Sequence, residues 1–342
     1  MDSLGYTSCV DYGSVPNCKE RHAIDLHIKH HDVVIYQINV EAVTDLLGEI
    51  QIIETGKRQV RNECLLKEIS TPVLHRTVTV PEEIYHISGV TKDQVWICNG
   101  KTLILINSEG DILHHLTNVI SVWGQHTVDL TGDLIYIDRS DNVIKLSKDN
   151  RFKSTLIKKT EQWVPQCIYS SHLNSDLLVG MSSNNSGIVA RFNDIGQLKQ
   201  TIQHGTTGQE LYSHPMYTTE NRDGDDIVSD LVPVVVTDRR GRHRFSYTGP
   251  TSGSQILPYG ICTDALSHIL VCDSNTNSIH MLDRDGHFLS HILTAYEGIN
   301  GPMDLSFDDK THFLWVGLSY GEKRVCVYRY IERHGYLQYN MS

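Results

Sequence analysis

Arg239, Arg240, Arg242 and Arg244 fall within six residues around Gly241, in a chain that is otherwise acidic. A guanidinium presents a rigid fork of N–H donors that matches phosphate and carboxylate oxygens, so these four form the candidate ligand-binding group. Their surroundings limit what they can mean. The 342 residues hold 30 Lys and Arg against 41 Asp and Glu, a net charge of −11. Residues 1–70 carry 7 basic and 11 acidic side chains, so the acidity is spread over the whole chain. A DNA-binding protein needs a broad basic excess, and none exists here. A charged loop is also commonly no more than a solvated turn.

Three other groups of residues carry chemistry by type. Cys9, Cys18, His22, His27, His30 and His31 have ligand types suited to zinc. There are only two thiols among them and no Cys-x2-Cys pair, so no metal is assigned. Asp264 and Asp304 stand near expected inner strands. Acidic and amide residues in such a place would hold a channel metal for a hydrolase or lactonase. His114 and His115, and His280, His287 and His291, fit no ligand spacing and read as packed or exposed side chains. No Ser/His/Asp or Cys/His set can be assembled from scattered single residues, so no catalytic residue and no cofactor are assigned.

The elements that must position these groups are clearest from Leu257 to Arg329. Short apolar runs, such as His268 to Asp273, Ser278 to Leu282 and Phe313 to Gly317, are strand-length and bounded by Gly, Asp, Asn or Ser. Pro258 and Pro302 open equivalent strands 44 residues apart, the period of a four-stranded propeller blade. The turn between third and fourth strands needs a residue tolerant of positive φ. Gly110, Asn150, Gly196, Gly241 and Gly286 recur there in steps of 40, 46, 45 and 45 residues. Asp138, Asp230 and Asp273 close second strands as turn formers. Trp96 and Trp315 share a second-strand position and read as core between blades.

The expected fold is therefore all-β, a six-bladed β-propeller with a short irregular N-terminal extension. Residues 1–32 read as an irregular tail and 33–70 as a linker, partly helical at Val43, Leu46, Leu47 and Ile50. Residues 71–331 read as the propeller and 332–342 as a C-terminal tail. Pro72 to Val80 alternates well and is expected to supply the last outer strand, ahead of its competitor Gly335 to Tyr339. Blade four is expected to be irregular at Leu231-Val232-Pro233. Cys98, Cys167, Cys262, Cys272 and Cys326 lie inside expected strands as reduced core residues, which fits a reducing compartment. The N-terminus lacks the n- and h-regions of a signal peptide, and no apolar run would span a bilayer. The expectation is a cytoplasmic protein without membrane contact.

Asp133-Leu134-Ile135-Tyr136-Ile137-Asp138 followed by Asn142-Val143-Ile144 resembles the NHL repeat, and Asp273 to Ile279 gives a second copy. The span 72–331 resembles the six-bladed NHL propeller of the tripartite-motif family, in its expanded invertebrate branch. That resemblance implies a substrate-recognition module tied to ubiquitin-dependent regulation. Cys18 with His22, His27 and His30 would then be a degraded B-box relic. The chain has no RING cysteine–histidine array, so the expectation is a binding protein and not an enzyme. A protein partner is expected first, through the arginine turn; RNA is the alternative ligand, and a metal-dependent lactonase the alternative function.

Overall fold

The computed structural model describes residues 66–80, 83–121, 125–251, 255–319 and 323–333, and a short pair of strands, Ile28–Lys29 with Asp32–Val33. Residues 1–58 and 59–342 form separate units. The cysteine–histidine tail, the helix expected from Val43 to Ile50 and the competing strand at Gly335 to Tyr339 lie outside the described residues.

Six antiparallel four-stranded sheets follow one another along the chain. Their inner strands are His86–Thr91, His126–Val128, Val164–Ser170, Pro215–Glu220, Pro258–Thr263 and Pro302–Asp308. Each inner strand contacts the next, and the last contacts the first, so the sheets close into a ring. The sixth sheet is completed by Leu66–Thr79, which pairs with Arg324–Arg333 from Thr79 opposite Arg324 to Leu66 opposite Arg333. The expected closure by the N-terminal strand is present, and the strand begins six residues earlier than its alternation suggested.

Sequence accounts for the turns. Gly110, Asn150, Gly196, Gly241 and Gly286 all have φ between +60° and +90°. At Gly286 a β-carbon would also lie 2.4 Å from the Phe245 ring. Asp138 and Asp273 cap turns as expected, whereas the Asp230 carboxylate instead accepts the Ser213 and His214 N–H groups. The Asp138 carboxylate accepts the backbone N–H groups of Ser140 and Asn142, both at 2.9 Å, and Asp273 accepts those of Leu257 and Asn275. Blade four is irregular where expected, with Leu231 at φ +45°.

The core consists of six slabs, one per blade junction. Trp315, Val325 and Val327 of blade six pack on Ile84, Ile87 and Ile97 of blade one. Trp96 and Leu103 of blade one pack on Leu134 and Tyr136 of blade two. Both tryptophans are buried between blades, and the five cysteines expected in strands are free and buried. Among the described residues no helix is long and apolar enough to cross a membrane.

Candidate active site

Blades one and four face each other across a six-membered ring, so any contact between their inner strands spans its axis. Tyr217, on the inner strand of blade four, makes two. Its Oη donates to the Tyr85 carbonyl at 2.7 Å. Its ring stacks on His86, with centroids 5.8 Å apart and planes 2° from parallel. His126 opens the inner strand of blade two and sets its ring against His86 at 4.6 Å. Tyr259 of blade five meets Tyr217 at 6.4 Å. Four rings from four blades thus meet at the axis.

Asp304 of blade six completes the group. Its Oδ2 accepts the Ile87 N–H at 2.7 Å and lies 3.7 Å from His86 Nδ1. The carboxyl reaches this position because blade five offers no side chain there: a β-carbon on Gly260 would lie 2.1 Å from Asp304 Oδ1. Burial pushes the Asp304 carboxyl well above the usual carboxylate range, against the pull of the Ile87 and Leu305 N–H groups. Burial, helped by His126, holds His86 well below the usual imidazole range. The separation alone would admit an ion pair, but desolvation of both groups favours the neutral forms. His86 Nδ1 is buried without a hydrogen-bond partner, while 11% of the side chain stays exposed. An imidazole and a carboxyl, both biased towards their neutral forms, are groups that can give and accept protons.

Asp304, named from sequence as a channel metal ligand, is therefore at the axis, but Asp264 is not beside it. The Asp264 carboxylate is held by His268 Nδ1 at 2.9 Å and Tyr330 Oη at 2.8 Å. No group of three or more His, Cys, Asp or Glu among the described residues could hold a metal ion. The residues present do not fit a channel metal, and no step is derived through one.

Arg239, Arg240 and Arg242 lie on the turn between the outer strands of blade four, and Arg244 lies in the strand that follows, His243–Tyr247. Arg242 grips Asp238 through Nε at 2.7 Å and Nη2 at 2.6 Å. Arg244 is shared between Asp225 and Asp285, the latter at 2.7 Å. Arg239 lies over Gly224, and both Arg239 and Arg240 are exposed. His280 is buried against Tyr247 Oη at 2.8 Å, His291 packs on His280 and Phe288, and His287 binds Asp283. His114 packs edge-on to Trp96, and His115 is exposed.

A second buried polar group joins blades three and four. Arg191 binds Glu220 at 2.9 Å and Asp226 at 2.5 Å, with Asp176 at 3.8 Å, and Lys199 also holds Asp176. Asp226 Oδ2 has no partner. Burial, with Glu220 and Asp225, pushes Asp226 up to about 7 although Arg191 pulls it down. Its value in the unfolded chain is about 4, so its contribution to stability is complete below that pH and is lost as the pH rises towards 7. Replacing Asp226 with Asn is expected to cancel that loss, so the variant should gain up to about 3–4 kcal/mol on wild type between pH 4 and pH 7.5. Urea unfolding of both proteins across that range measures it; parallel curves would refute the assignment.

The sequence reading missed His86, His126, Tyr217 and Tyr259. A signal did exist: His86 and His126 open successive inner strands 40 residues apart.

No protein-family model matches the chain, and no curated protein does. Solved structures do match. A gluconolactonase from Xanthomonas campestris superposes with TM-score 0.57 at 14% identity, over 76% of this chain and 95% of that one. A catalytically inactive histidine-to-alanine form of virginiamycin B lyase from Staphylococcus aureus, with quinupristin, gives 0.53 at 14%, over 73% and 82%. The PQQ-bound aldose sugar dehydrogenase of Streptomyces coelicolor gives 0.57 at 9%, over 78% and 100%. At such identities the likeness establishes the six-bladed ring. It gives no support to the tripartite-motif assignment. The expectation of a chain that is not an enzyme is corrected here, because the rings it superposes on are enzymes. His86 and Asp304, 218 residues apart, meet only when the ring closes, so their proximity could not be read from the sequence.

Proposed function

We propose that the chain is a hydrolase of the lactonase type, acting on a cyclic or open ester at the mouth of the axis, with His86 handling the proton of the reaction. One observation carries the reading: an imidazole, partly open to solvent, held at the ring axis with its Nδ1 unpartnered 3.7 Å from Asp304. Hydrolysis joins a water oxygen to the acyl carbon, breaks the ester C–O bond and leaves a proton on the departing oxygen. An imidazole that can give and take a proton, in a site shielded by stacked rings, suits that demand. One structural neighbour is named a gluconolactonase, which agrees with this chemistry. The exposed Arg239 and Arg240 lie on an outer turn and serve a separate proposal, contact with an acidic partner or phosphate.

The test is a pH-stat screen of the purified chain on a panel of γ- and δ-lactones and simple esters, without added metal and with divalent cations. Turnover of at least one lactone well above background is expected without metal. Turnover only with added metal, or none on any compound, would overturn the reading.

A further inference from the structure

We propose that Asp304 is a positioning residue that donates its carboxyl proton to His86 Nδ1, fixing the imidazole as the Nε2–H tautomer, so that His86 meets substrate as a proton donor. The proposal rests on the hydrolase reading above and specifies which way the proton moves. One unpartnered nitrogen and one buried carboxyl beside it carry the proposal. His86 Nδ1 is buried and accepts from no group. The Asp304 carboxyl is buried, with Oδ1 against Gly260 and Oδ2 towards both the Ile87 N–H and that Nδ1. A neutral carboxylic acid has one O–H to give, and a neutral imidazole has one nitrogen to accept it. The 3.7 Å separation is longer than a hydrogen bond. Closure by several tenths of an ångström is the tightening expected when a catalytic contact forms on substrate binding.

The surroundings support this assignment. Against the pair lie His126 from blade two and Tyr217 from blade four, with Tyr259 of blade five on Tyr217, Cys262 and Cys272 of blade five near Asp304, and Cys98 paired in register with His86. Burial raises Asp304, Tyr217 and the three thiols, which biases each towards its protonated form. Tyr217 and His126 constrain the ring by stacking and by edge contact. Asp304 is the carboxyl group beside Nδ1, and its burial disfavours the carboxylate that would draw a proton onto that nitrogen.

The proton balance of the step is closed. As the ester C–O bond breaks, the Nε2 proton passes to the departing oxygen and the Asp304 proton moves onto Nδ1. The resulting carboxylate is held by the N–H groups of Ile87 and Leu305. The attacking water gives one proton to solvent. The pair is restored when Nε2 takes a proton from solvent and the Nδ1 proton returns to Asp304.

Imidazole 15N NMR on the full chain reads the tautomer directly, with the His86 signals assigned by their loss in His86→Gln. The expected wild-type pattern is a protonated Nε2 and an accepting Nδ1, unchanged from pH 5 to pH 8. Asp304→Asn keeps a donor to Nδ1 and should keep the pattern. Asp304→Leu should lose it, with kcat falling about 100-fold at unchanged KM, and Asn recovering part of the loss. An Nδ1-protonated ring, or one that becomes cationic in that range in wild type, would overturn the proposal. The spectra need no turnover. The expected tautomer without lactone hydrolysis would count against the hydrolase reading alone, and the opposite tautomer with hydrolysis against this proposal alone.

Discussion

A chain that begins at residue 83 is expected to unfold or aggregate. Blade six owes its fourth strand to Leu66–Thr79, and without it Arg324–Arg333 presents a bare edge of N–H and C=O groups. The loss reaches into the core. Val78 and Val80 are buried in the slab that joins blade six to blade one, with Trp315 and Ile84. Two buried valines are worth roughly 1.5–3 kcal/mol each, before any cost of opening the ring. The whole stability of such a domain is about 5–15 kcal/mol, so the deletion removes a large part of it. Deleting residues 1–32 should leave the melting midpoint unchanged. Circular dichroism and size-exclusion chromatography separate the two outcomes; a folded, monomeric 83–342 fragment would show that the ring closes in some other way.

Gly260→Ala is expected to cost about 3 kcal/mol, the upper part of the range for overpacking a core. The new methyl would lie 2.3 Å from the Asp304 α-carbon as well as 2.1 Å from its Oδ1. A side chain can rotate away, but an α-carbon on a neighbouring inner strand cannot. Relief therefore requires the inner strands of blades five and six to separate, which also draws Asp304 away from His86 and Ile87. In a domain of this size each kcal/mol shifts the melting midpoint by roughly 2–4 °C, so a fall of about 6–12 °C is expected. A midpoint within 2 °C of wild type would mean that the close approach at Gly260 does not exist in solution.

Strand order and turn positions were legible in the sequence because they are local. Positive φ at Gly110 or Gly241 leaves its mark in residue type, and Pro258 and Pro302 mark strand starts. The second strand of blade one, Gln94–Cys98, and the second strand of blade four, Asp226–Asp230, run as their patterns suggest. The site was not legible. His86 and Tyr217 carry no spacing signal towards each other, since 131 residues and three blades separate them. Asp304 could be singled out by charge alone, yet its role depends on the absence of a side chain at Gly260. The arginine turn shows the opposite case. Its density drew attention, but Asp238, Asp225 and Asp285, which neutralise Arg242 and Arg244, come from three separate loops.

The central claim is that chemistry occurs at the axis and not at the outer turn. One comparison addresses it: kcat/KM for the best lactone of the screen, measured for wild type, His86→Gln and the double variant Arg239→Ala with Arg240→Ala. Loss of a proton-transfer group costs about 100-fold or more, so the His86 variant should fall by at least that factor while the arginine double variant stays within twofold of wild type. Full activity in His86→Gln, or a collapse confined to the arginine double variant, would contradict a catalytic axis.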